Sequence, residues 1–538
     1  MRKNSLALYL TIFFIAATFL PTFILPVAAS PDEVVVLTPH WSGIQDVAKE
    51  DFEAWYQDKT GNEIVLTFEY KDTTTSLALI REAGGDPVKV KWDIWWGGGL
   101  DAFKLAKADD LLAPFYLPGD TEWEDINAAV PDSFGGLPLK DNDDYTYWGA
   151  ALSGFGIVYN AKYLEDNNLP TPNDWTDLTD PGYKGHVMMC PPSKSGSNLM
   201  IIQIILQYYG WEDGWALVTE MGANIGEYTE SSHHVAPYIG RGEYGIAPVI
   251  DFYGFGQAAV YSEDVVFFYP PADSEEKSTV INPDSVAIVI GKGDTNPAAT
   301  EFMKWCLGVD GQNMLFKDPI NRLSVRPDVY ADAPPGYFNP FETELTLFLY
   351  DDDLGTLRFD IVEDLYDMLL VAPMDDLTDA WTKYNDAKEY IVTKKDVGVP
   401  GIVDPPLDLP ESNAKLAEAY AAFISLPISG AEVETVSPTY QDSKEEYKAE
   451  WLDLAVQKYS DVVELSLEAK AVCDAEVASI RRSYLEAQVQ DLEIQVEDLE
   501  NQVSSLSASV SSWQTYTAVT LVIGLIIGAL VGRMFFKK

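Results

Sequence analysis

The sequence predicts a two-lobed α/β body followed by a helical extension, a coiled-coil stalk and a C-terminal transmembrane helix. Strand-like and helix-like segments alternate from residue 32 to about residue 340, which is typical of a parallel sheet with crossover helices. A heptad of Val and Leu begins at Val489, and an apolar stretch over residues 517–532 follows it. With 47% hydrophobic residues, the chain has the composition of a folded protein.

The N-terminus has the features of a signal peptide. Arg2 and Lys3 precede an apolar run over residues 6–25, and the small residues at 27–29 suit signal peptidase. An uncleaved N-terminal anchor is the alternative. We expect these divisions: signal peptide 1–29, lobe 1 over 30–147, lobe 2 over 148–280, a return to lobe 1 over 281–340, a helical extension or neck over 341–440, a helical stalk over 441–513 with its coiled coil at 485–513, and an anchor over 515–536.

The body is strongly acidic. The full chain has 36 Lys and Arg against 85 Asp and Glu, a net charge of −49, and loss of Arg2 and Lys3 would leave about −51. Such a surface excludes nucleic acid as a partner. Only three cysteines occur, without a CxxC pair, which argues against a metal cluster or a disulfide framework. Buried or free thiols are the expectation, and a Cys190–Cys306 bridge is the alternative.

The C-terminal region predicts a membrane-anchored stalk. Valine at the a positions and leucine at the d positions from Val489 favour a parallel dimer, with a trimer, or helices packing within one chain, as alternatives. Gly524, Gly528 and Gly532 have the small-xxx-small spacing of packed membrane helices. Basic residues follow the apolar stretch, so the tail should be cytoplasmic and the body extracellular.

Three predicted strand-to-helix junctions are rich in small and hydroxyl residues. Helix N-termini at such junctions offer free backbone N–H groups to an anion, and ligands of α/β sheets bind where helices begin. Thr, Ser and Gly are also ordinary helix caps, which is the simpler interpretation of any single junction. The candidate ligand contacts at the junctions are Thr74, Gly97, Gly98, Gly99, Ser193, Ser195, Gly196 and Ser197.

Aromatic and polar residues in the same loops extend this candidate set. Aromatic side chains in a cleft stack on ligands, although each is more often part of a core. Trp96 lies beside the glycine run, and Tyr253 lies close to Asp251. The further candidates are His40, Trp41, Trp96, Trp148, Ser153, Tyr228, Asp251 and Tyr253.

Several motifs, in this order, resemble those of extracellular (family 1-like) solute-binding proteins of ABC transporters. They are DIWWGGG at 93–99 with LLAPF at 111–115, GFGIVYN at 154–160, PNDWTDL with DPGYKG at 172–185, SKSGS at 193–197 and GEYGI at 242–246. The resemblance covers roughly residues 33–330, on the branch of ferric-iron, polyamine and sugar-phosphate binders. The opening TPHWSGI at 38–44 is similar to that of membrane-anchored archaeal members.

This resemblance implies a type II periplasmic-binding-protein-like clamshell. The lobes would close on a small solute and deliver it to an ABC permease driven by an ATPase, without chemistry on the solute and without a cofactor. Phosphate, a sugar phosphate, a polyamine or a metal complex is the expected ligand class. An anion suits the helix N-termini and Lys194, whereas a polyamine would use Asp93, Glu230 and Asp251.

Iron and two other kinds of function are weaker hypotheses. Ferric-iron members use an adjacent tyrosine pair after the GE element, but this chain has Asp251-Phe252-Tyr253 there, and Tyr208-Tyr209 and His233-His234 are better interpreted as packing and surface residues. GGGLDA at 97–102 fits a dinucleotide pattern but follows the third strand rather than the first, so an enzyme is not expected. A structural cell-envelope protein without a ligand remains the alternative function.

Overall fold

The computed structural model describes residues 32–343, 345–401, 406–509 and 519–528. The predicted signal peptide, residues 510–513 of the predicted coiled coil and most of the predicted anchor lie outside these ranges. Residues 519–528 are helical. Within the described ranges, no helix is both long enough and apolar enough to cross a membrane.

Lobe 1 begins with three parallel strands that alternate with helices, as predicted. β1 (Asp32–Thr38) pairs in parallel with β2 (Ile64–Tyr70) and with β3 (Ile94–Gly99). The intervening helices are α1 (Ser42–Thr60), α2 (Thr73–Ala83) and α3 (Leu100–Ala108). Short elements complete this part: β4 (Leu112–Ala113), α4 (Thr121–Ala129), β5 (Ser133–Phe134) and β6 (Leu137–Pro138).

Lobe 2 is built around a very apolar helix. Nine residues of α6 (Gly196–Tyr209) are buried, which explains why its sequence lacks a polar face. The strands are β7 (Tyr147–Asn160), β8 (Val187–Met189), β9 (Ile225–Tyr228), β10 (Ile246–Ile250), β11 (Val265–Phe268) and β12 (Glu276–Lys277). The other helices are α5 (Ala161–Asp166), α7 (Trp211–Ala223), α8 (Val235–Gly240) and α9 (Asp251–Val260).

Two long strands run through both lobes. β7 pairs antiparallel with β13 (Ile281–Val289) on the lobe 1 side and with β10 on the lobe 2 side. β13 also pairs with β3, so the main path of one continuous sheet is β2-β1-β3-β13-β7-β10-β8-β9. The expected return of the strand near 286–290 to the first series is confirmed. The sheet is mixed rather than parallel because β7 and β13 oppose their neighbours.

The chain then returns to lobe 1 and continues into a helical extension. α10 (Pro297–Leu307) and α11 (Val309–Met314) belong to the return. β14 (Thr346–Leu347) pairs with β12 and starts the extension. The remaining elements are α12 (Asp352–Leu357), α13 (Phe359–Tyr366), a π-helical turn Asp367–Val371, α14 (Met374–Val397), α15 (Pro410–Phe423), α16 (Gly430–Val436) and α17 (Tyr440–Ser509).

The last long helix has two different parts. The first part of α17 packs against the extension and buries Trp451, Tyr459 and Cys473, so this half of the predicted stalk belongs to a helical bundle. Further along, Leu485 and Val489 of the heptad region are 44% and 43% exposed. The helix over residues 519–528 lines a cavity of about 590 Å³ together with α17, which agrees with the alternative that the helices pack within one chain.

The three cysteines are free and buried. The Cys190–Cys306 bridge, which was the weaker of the two expectations, is therefore wrong. Cys190 lies in the small apolar cluster of lobe 2, whereas Cys306 lies on α10 in the core of lobe 1. Burial raises the pKa of the Cys190 thiol to about 12, so this thiol is protonated and unreactive at neutral pH.

Candidate functional site between the lobes

A small cavity of about 60 Å³ lies between the two lobes where the predicted junctions meet. The carboxyl end of β3 and the loop after β2 contribute from lobe 1, and the start of α6 contributes from lobe 2. The cavity is lined by residues of both lobes and is partly open to solvent. The predicted residues that line the cavity are His40, Gly98, Gly99, Ser153, Ser195, Gly196, Ser197 and Tyr253.

Two helices begin at this cavity. Gly99 is the N-cap of α3, and Ser195 is the N-cap of α6. The Ser195 side chain accepts a hydrogen bond from the Asn198 N–H at 3.2 Å. The N–H groups of Gly196 and Ser197 lie in the first turn of α6, where no intrahelical acceptor exists. Both helix dipoles therefore present their positive ends to the same small volume.

A buried arginine, Arg322, forms the floor of the cavity. Its side chain is 2% exposed, and its guanidinium lies 4.7 Å from the Phe252 ring. It donates to Ser153 Oγ of lobe 2 at 2.9 Å and contacts Asp284 Oδ2 of lobe 1 at 2.5 Å. Its Nη1 lies 2.8 Å from His40 Nε2. Arg322 therefore joins side chains of both lobes beside β7 and β13, the two long strands that connect the lobes.

Asp284 is the internal counter-ion of Arg322. It also accepts a hydrogen bond from the Gly98 N–H and lies 3.0 Å from His40 Nε2. Burial raises the pKa of Asp284, but Arg322, His40 and the Gly98 amide together hold it well below its usual range. Burial lowers the pKa of His40, so the imidazole is neutral at neutral pH. The carboxylate and the guanidinium thus compensate each other.

Three residues that line the cavity each have one buried polar atom without a partner among the described residues, and one of these atoms is Arg322 Nε. Asn282 lines the cavity and is 2% exposed, and its Oδ1 makes no hydrogen bond there. His40 Nδ1 is likewise unpartnered within the described part of the chain. Buried polar atoms are normally paired, so a solute with hydroxyl groups fits this wall of the cavity.

Direct contacts between the lobes surround the cavity. Thr74 Oγ1 donates to the Ser193 carbonyl at 2.9 Å, and Tyr70 Oη lies 2.6 Å from Ser231 Oγ. Gly196 abuts Thr73, because a Cβ at Gly196 would lie only 2.7 Å from Thr73 Oγ1. Thr74 and Ser193 therefore hold the lobes together beside the cavity, although neither of them lines it.

The other predicted residues do not line the cavity, although Trp96 packs edge-on against His40 with their ring centroids 4.4 Å apart. Trp96 is buried in the core of lobe 1 against Phe302, and Trp148 is buried in an aromatic cluster with Trp123. Trp41 is the N-cap of α1, and the hydroxyl of Tyr228 lies 3.1 Å from that of Tyr366 in the extension. These large rings pack in or against the hydrophobic core of the body and do not contact the cavity space.

Two further candidates lie just behind the lining. Gly97 backs onto His40, because a Cβ there would lie 2.7 Å from His40 Nε2. Asp251 accepts from the Gly154 N–H at 2.6 Å and from the Tyr269 hydroxyl at 2.8 Å, so it fastens α9 to β7. Burial raises the pKa of Asp251 to about 6, although the Gly154 amide lowers it.

Sequence reasoning missed the polar floor of the cavity. Asn282 and Asp284 are, with Ser285, the polar residues of β13, whose other residues are apolar, and that contrast was a usable signal. Arg322 lies in a loop without a recognisable motif, so nothing in its sequence context marks it. Tyr70 and Asp72, at the end of β2, also line the cavity.

The residues considered for metal or polyamine binding have other contacts. Asp93 is fully buried and accepts from the Val35 N–H at 2.8 Å, and Glu230 pairs with Lys194 at 2.6 Å. Tyr209 donates to Asp174 at 3.3 Å. Burial lowers the pKa of His233 to about 4. No group of three or more His, Cys, Asp or Glu side chains suited to a metal ion occurs in the described part of the chain.

Comparisons with known proteins agree with this architecture. Residues 99–336 match the family described as "Bacterial extracellular solute-binding protein". A curated relative, the phosphoglycerate transport regulatory protein PgtC of Salmonella typhimurium, is 27% identical over 242 residues, which is 44% of this chain. The match spans 57% of the length of PgtC.

Solved structures show the fold. The periplasmic binding protein AfuA of Actinobacillus pleuropneumoniae, solved with exogenous fructose-6-phosphate, has a TM-score of 0.53 at 20% identity. The periplasmic binding protein P5PA has a TM-score of 0.53 at 18% identity. Each alignment covers 63% of this chain and 99% of the other chain. The lobes therefore have the periplasmic-binding-protein fold, and residues 99–336 match a family of solute-binding proteins rather than enzymes.

Proposed function

We propose that this chain is the extracellular solute-binding component of an ABC importer. The observation that carries the proposal is the cavity between two lobes, where two helix N-termini and a buried arginine meet. The match of residues 99–336 to solute-binding proteins supports the same function. Solute binding would favour the closed lobes, and an ABC permease with its ATPase would receive the solute.

The proposed ligand is a hydroxylated organic anion, such as a sugar phosphate. Its anionic group would accept from the Gly196 and Ser197 amides at the start of α6, beside Lys194. Its hydroxyl groups would meet Asn282 and Asp284, since a second anionic group there would be repelled by the ionised Asp284. The sugar phosphate bound to AfuA, which shares the fold, agrees with this class.

The proposed ligand contacts are the eight predicted residues at the cavity together with three that sequence reasoning missed. They are His40, Gly98, Gly99, Ser153, Ser195, Gly196, Ser197, Tyr253, Asn282, Asp284 and Arg322. A polyamine is less well supported, because Asp93 and Asp251 are both committed to backbone amides. Inorganic phosphate and ferric citrate serve as the competing probes.

A thermal-shift screen of the full-length chain tests this function. Fructose 6-phosphate, inorganic phosphate, spermidine, ferric citrate and maltotriose are the probes. A ligand at 100 times its dissociation constant stabilises the folded chain by about 2.7 kcal/mol. We expect fructose 6-phosphate to raise the melting temperature of the wild type but not that of Ser197→Asp, because the new carboxylate repels an anion. Absence of a shift with every probe would favour an envelope protein without a ligand.

We further propose that the chain is anchored by its C-terminal apolar stretch and forms a homodimer through the heptad of α17. The exposed Leu485 and Val489 support a partner helix, and valine and leucine at alternating heptad positions favour two strands. Sedimentation of the full-length chain in detergent should give a dimer, and Leu499→Lys should give a monomer. A wild-type monomer would contradict the dimer and favour the packing of residues 519–528 against α17 of the same chain.

A further inference from the structure

Residues 350–360 of the helical extension, here called the bridging segment, contact both helices that begin at the cavity. From lobe 1, α3 contributes Asp101 and Lys104, which lie within two turns of Gly99. From lobe 2, α6 contributes Gln203 and Gln207. The segment therefore connects two elements whose N-termini face each other across the cavity.

The contacts to lobe 1 are polar. Tyr350 donates to Asp101 Oδ2 at 2.7 Å, and Lys104 binds Asp352 at 2.7 Å and Asp353 at 2.5 Å. Near the end of the segment, Arg81 on α2 lies 3.4 Å from Asp360. Asp353 is 90% exposed, so water reaches part of this interface.

The contacts to lobe 2 combine hydrogen bonds with the packing of large side chains. Gln203 is fully buried and donates to the Gly355 carbonyl at 3.0 Å. Gln207 donates to the Asp351 carbonyl at 2.9 Å and accepts from the Asp351 N–H at 2.8 Å.

Packing also joins the segment to lobe 2. The Arg358 guanidinium lies 5.4 Å from the Trp211 ring, and Tyr366, beyond the segment, is fully buried against Tyr228. The bridging segment thus belongs with lobe 2.

Gly355 is the point where both lobes meet the segment. Its carbonyl accepts from lobe 2, while a Cβ on its other side would lie 2.8 Å from Asp101 Oδ2 of lobe 1. The lobes can rotate apart only if one set of these contacts breaks. The contacts to lobe 1 are ion pairs that water reaches and one buried hydrogen bond, whereas those to lobe 2 include the packing of Arg358 on Trp211 and of Tyr366 on Tyr228. Ion pairs that water reaches contribute little to stability, so the set that breaks is the one to lobe 1.

We propose that the bridging segment is a latch that holds the lobes closed without a ligand and so sets the affinity of the solute site. This rests on the proposed function only for its effect on affinity. The apparent dissociation constant is the intrinsic one divided by the closed fraction, so a latch that raises this fraction tightens binding and slows release. Closure then depends on the helical extension as well as on the solute.

Spin labels on the full-length chain test the latch without any ligand. Val88→Cys in lobe 1 and Val260→Cys in lobe 2 place labels at positions that are 91% and 70% exposed, while the native cysteines are buried. Pulsed dipolar spectroscopy then measures the distance between the lobes. Lys104→Ala should raise the open fraction about three- to fivefold, as loss of its two ion pairs with Asp352 and Asp353 allows, and Tyr350→Phe should act in the same direction.

Lys107→Ala is the matched control. Lys107 lies on the same helix and also binds two aspartates, Asp141 and Asp144, but both belong to lobe 1. Its distance distribution should equal that of the wild type. Equal distributions for Lys104→Ala, Tyr350→Phe and the wild type would overturn the latch.

A second measurement separates the latch from the proposed ligand class. In calorimetric titration with fructose 6-phosphate, Lys104→Ala should weaken binding by the factor by which it lowers the closed fraction. Unchanged affinity alongside a changed distance distribution would overturn the link from the latch to the site. Absence of binding to the wild type would contradict the proposed ligand class, and the distance measurement would still decide the latch.

Discussion

The two lobes meet directly around the cavity and indirectly through the bridging segment, and the two interfaces differ in chemistry. The direct contacts are single hydrogen bonds, such as Thr74 to Ser193, around a cavity of about 60 Å³. The bridging segment instead combines ion pairs on one side with buried contacts on the other. Both sets of contacts form without a solute, so closure has a component that does not depend on the solute.

The largest expected effect concerns the buried charge at the cavity. Arg322→Met removes the counter-ion of Asp284 and leaves a buried carboxylate without compensation. We expect the free energy of unfolding to fall by about 3–5 kcal/mol in urea titration. Arg241→Met is the control, because the Arg241 side chain is 46% exposed, and should cost roughly 0.5 kcal/mol or less. A loss below about 1 kcal/mol for Arg322→Met would show that the cavity floor is not a buried ion pair.

The second effect is a pH dependence of stability at Asp101, the lobe 1 residue that binds Tyr350 of the bridging segment. Burial raises the pKa of Asp101 to about 7, with Tyr350 and the charges of Asp352, Lys104 and Arg358 as smaller influences. An acid whose pKa is raised on folding stabilises the fold at low pH, so stability should fall as pH rises from about 4 to 7. Between these pH values, the free energy of unfolding of Asp101→Asn should fall by roughly 1–3 kcal/mol less than that of the wild type.

Urea titrations at several pH values measure this difference. Asp109→Asn is the control, since Asp109 lies at the end of the same helix and is 43% exposed. Parallel profiles for the wild type and Asp101→Asn would show that Asp101 does not titrate in this range.

The smallest effect concerns the N-cap at the cavity. Ser195→Ala removes the acceptor of the Asn198 N–H and should lower the free energy of unfolding by about 1 kcal/mol. Solute affinity should also fall, because the first turn of α6 becomes less ordered where the anion binds. Ser429→Ala is the matched control, since Ser429 caps α16 in the extension and should lower stability without affecting affinity. Equal affinities for all three proteins would place the anion elsewhere.

The sequence predicted the fold better than the site. Alternating strands and helices gave the order of elements, because apolar periodicity reports directly on burial in a sheet or a helix. The junctions at Gly98 and Ser195 were also found, since a helix start leaves a local signature. The long-range pairing of Arg322 with Asp284 and Ser153 was not found, because no local pattern encodes a contact between residues so far apart in the chain.

The aromatic residues show a different limit. Trp96 and Trp148 lie near cavity residues in the sequence, yet both are buried in the core of lobe 1. Neighbouring residues on a strand point to opposite faces, so proximity in sequence to a site residue does not select the face. The contacts of the bridging segment with both lobes could likewise not be predicted from the sequence, since they join residues more than 140 positions apart.

Calorimetric titration of a Gly196→Ala variant is the most direct test of a solute site between the lobes. A Cβ at Gly196 would meet Thr73 of the opposite lobe and so prevent closure over the solute, without changing the core of either lobe. We expect fructose 6-phosphate to bind the wild type and Gly256→Ala, where a Cβ meets open space, but not Gly196→Ala, with all three equally folded. Binding of equal affinity to all three proteins would contradict a solute site between the lobes.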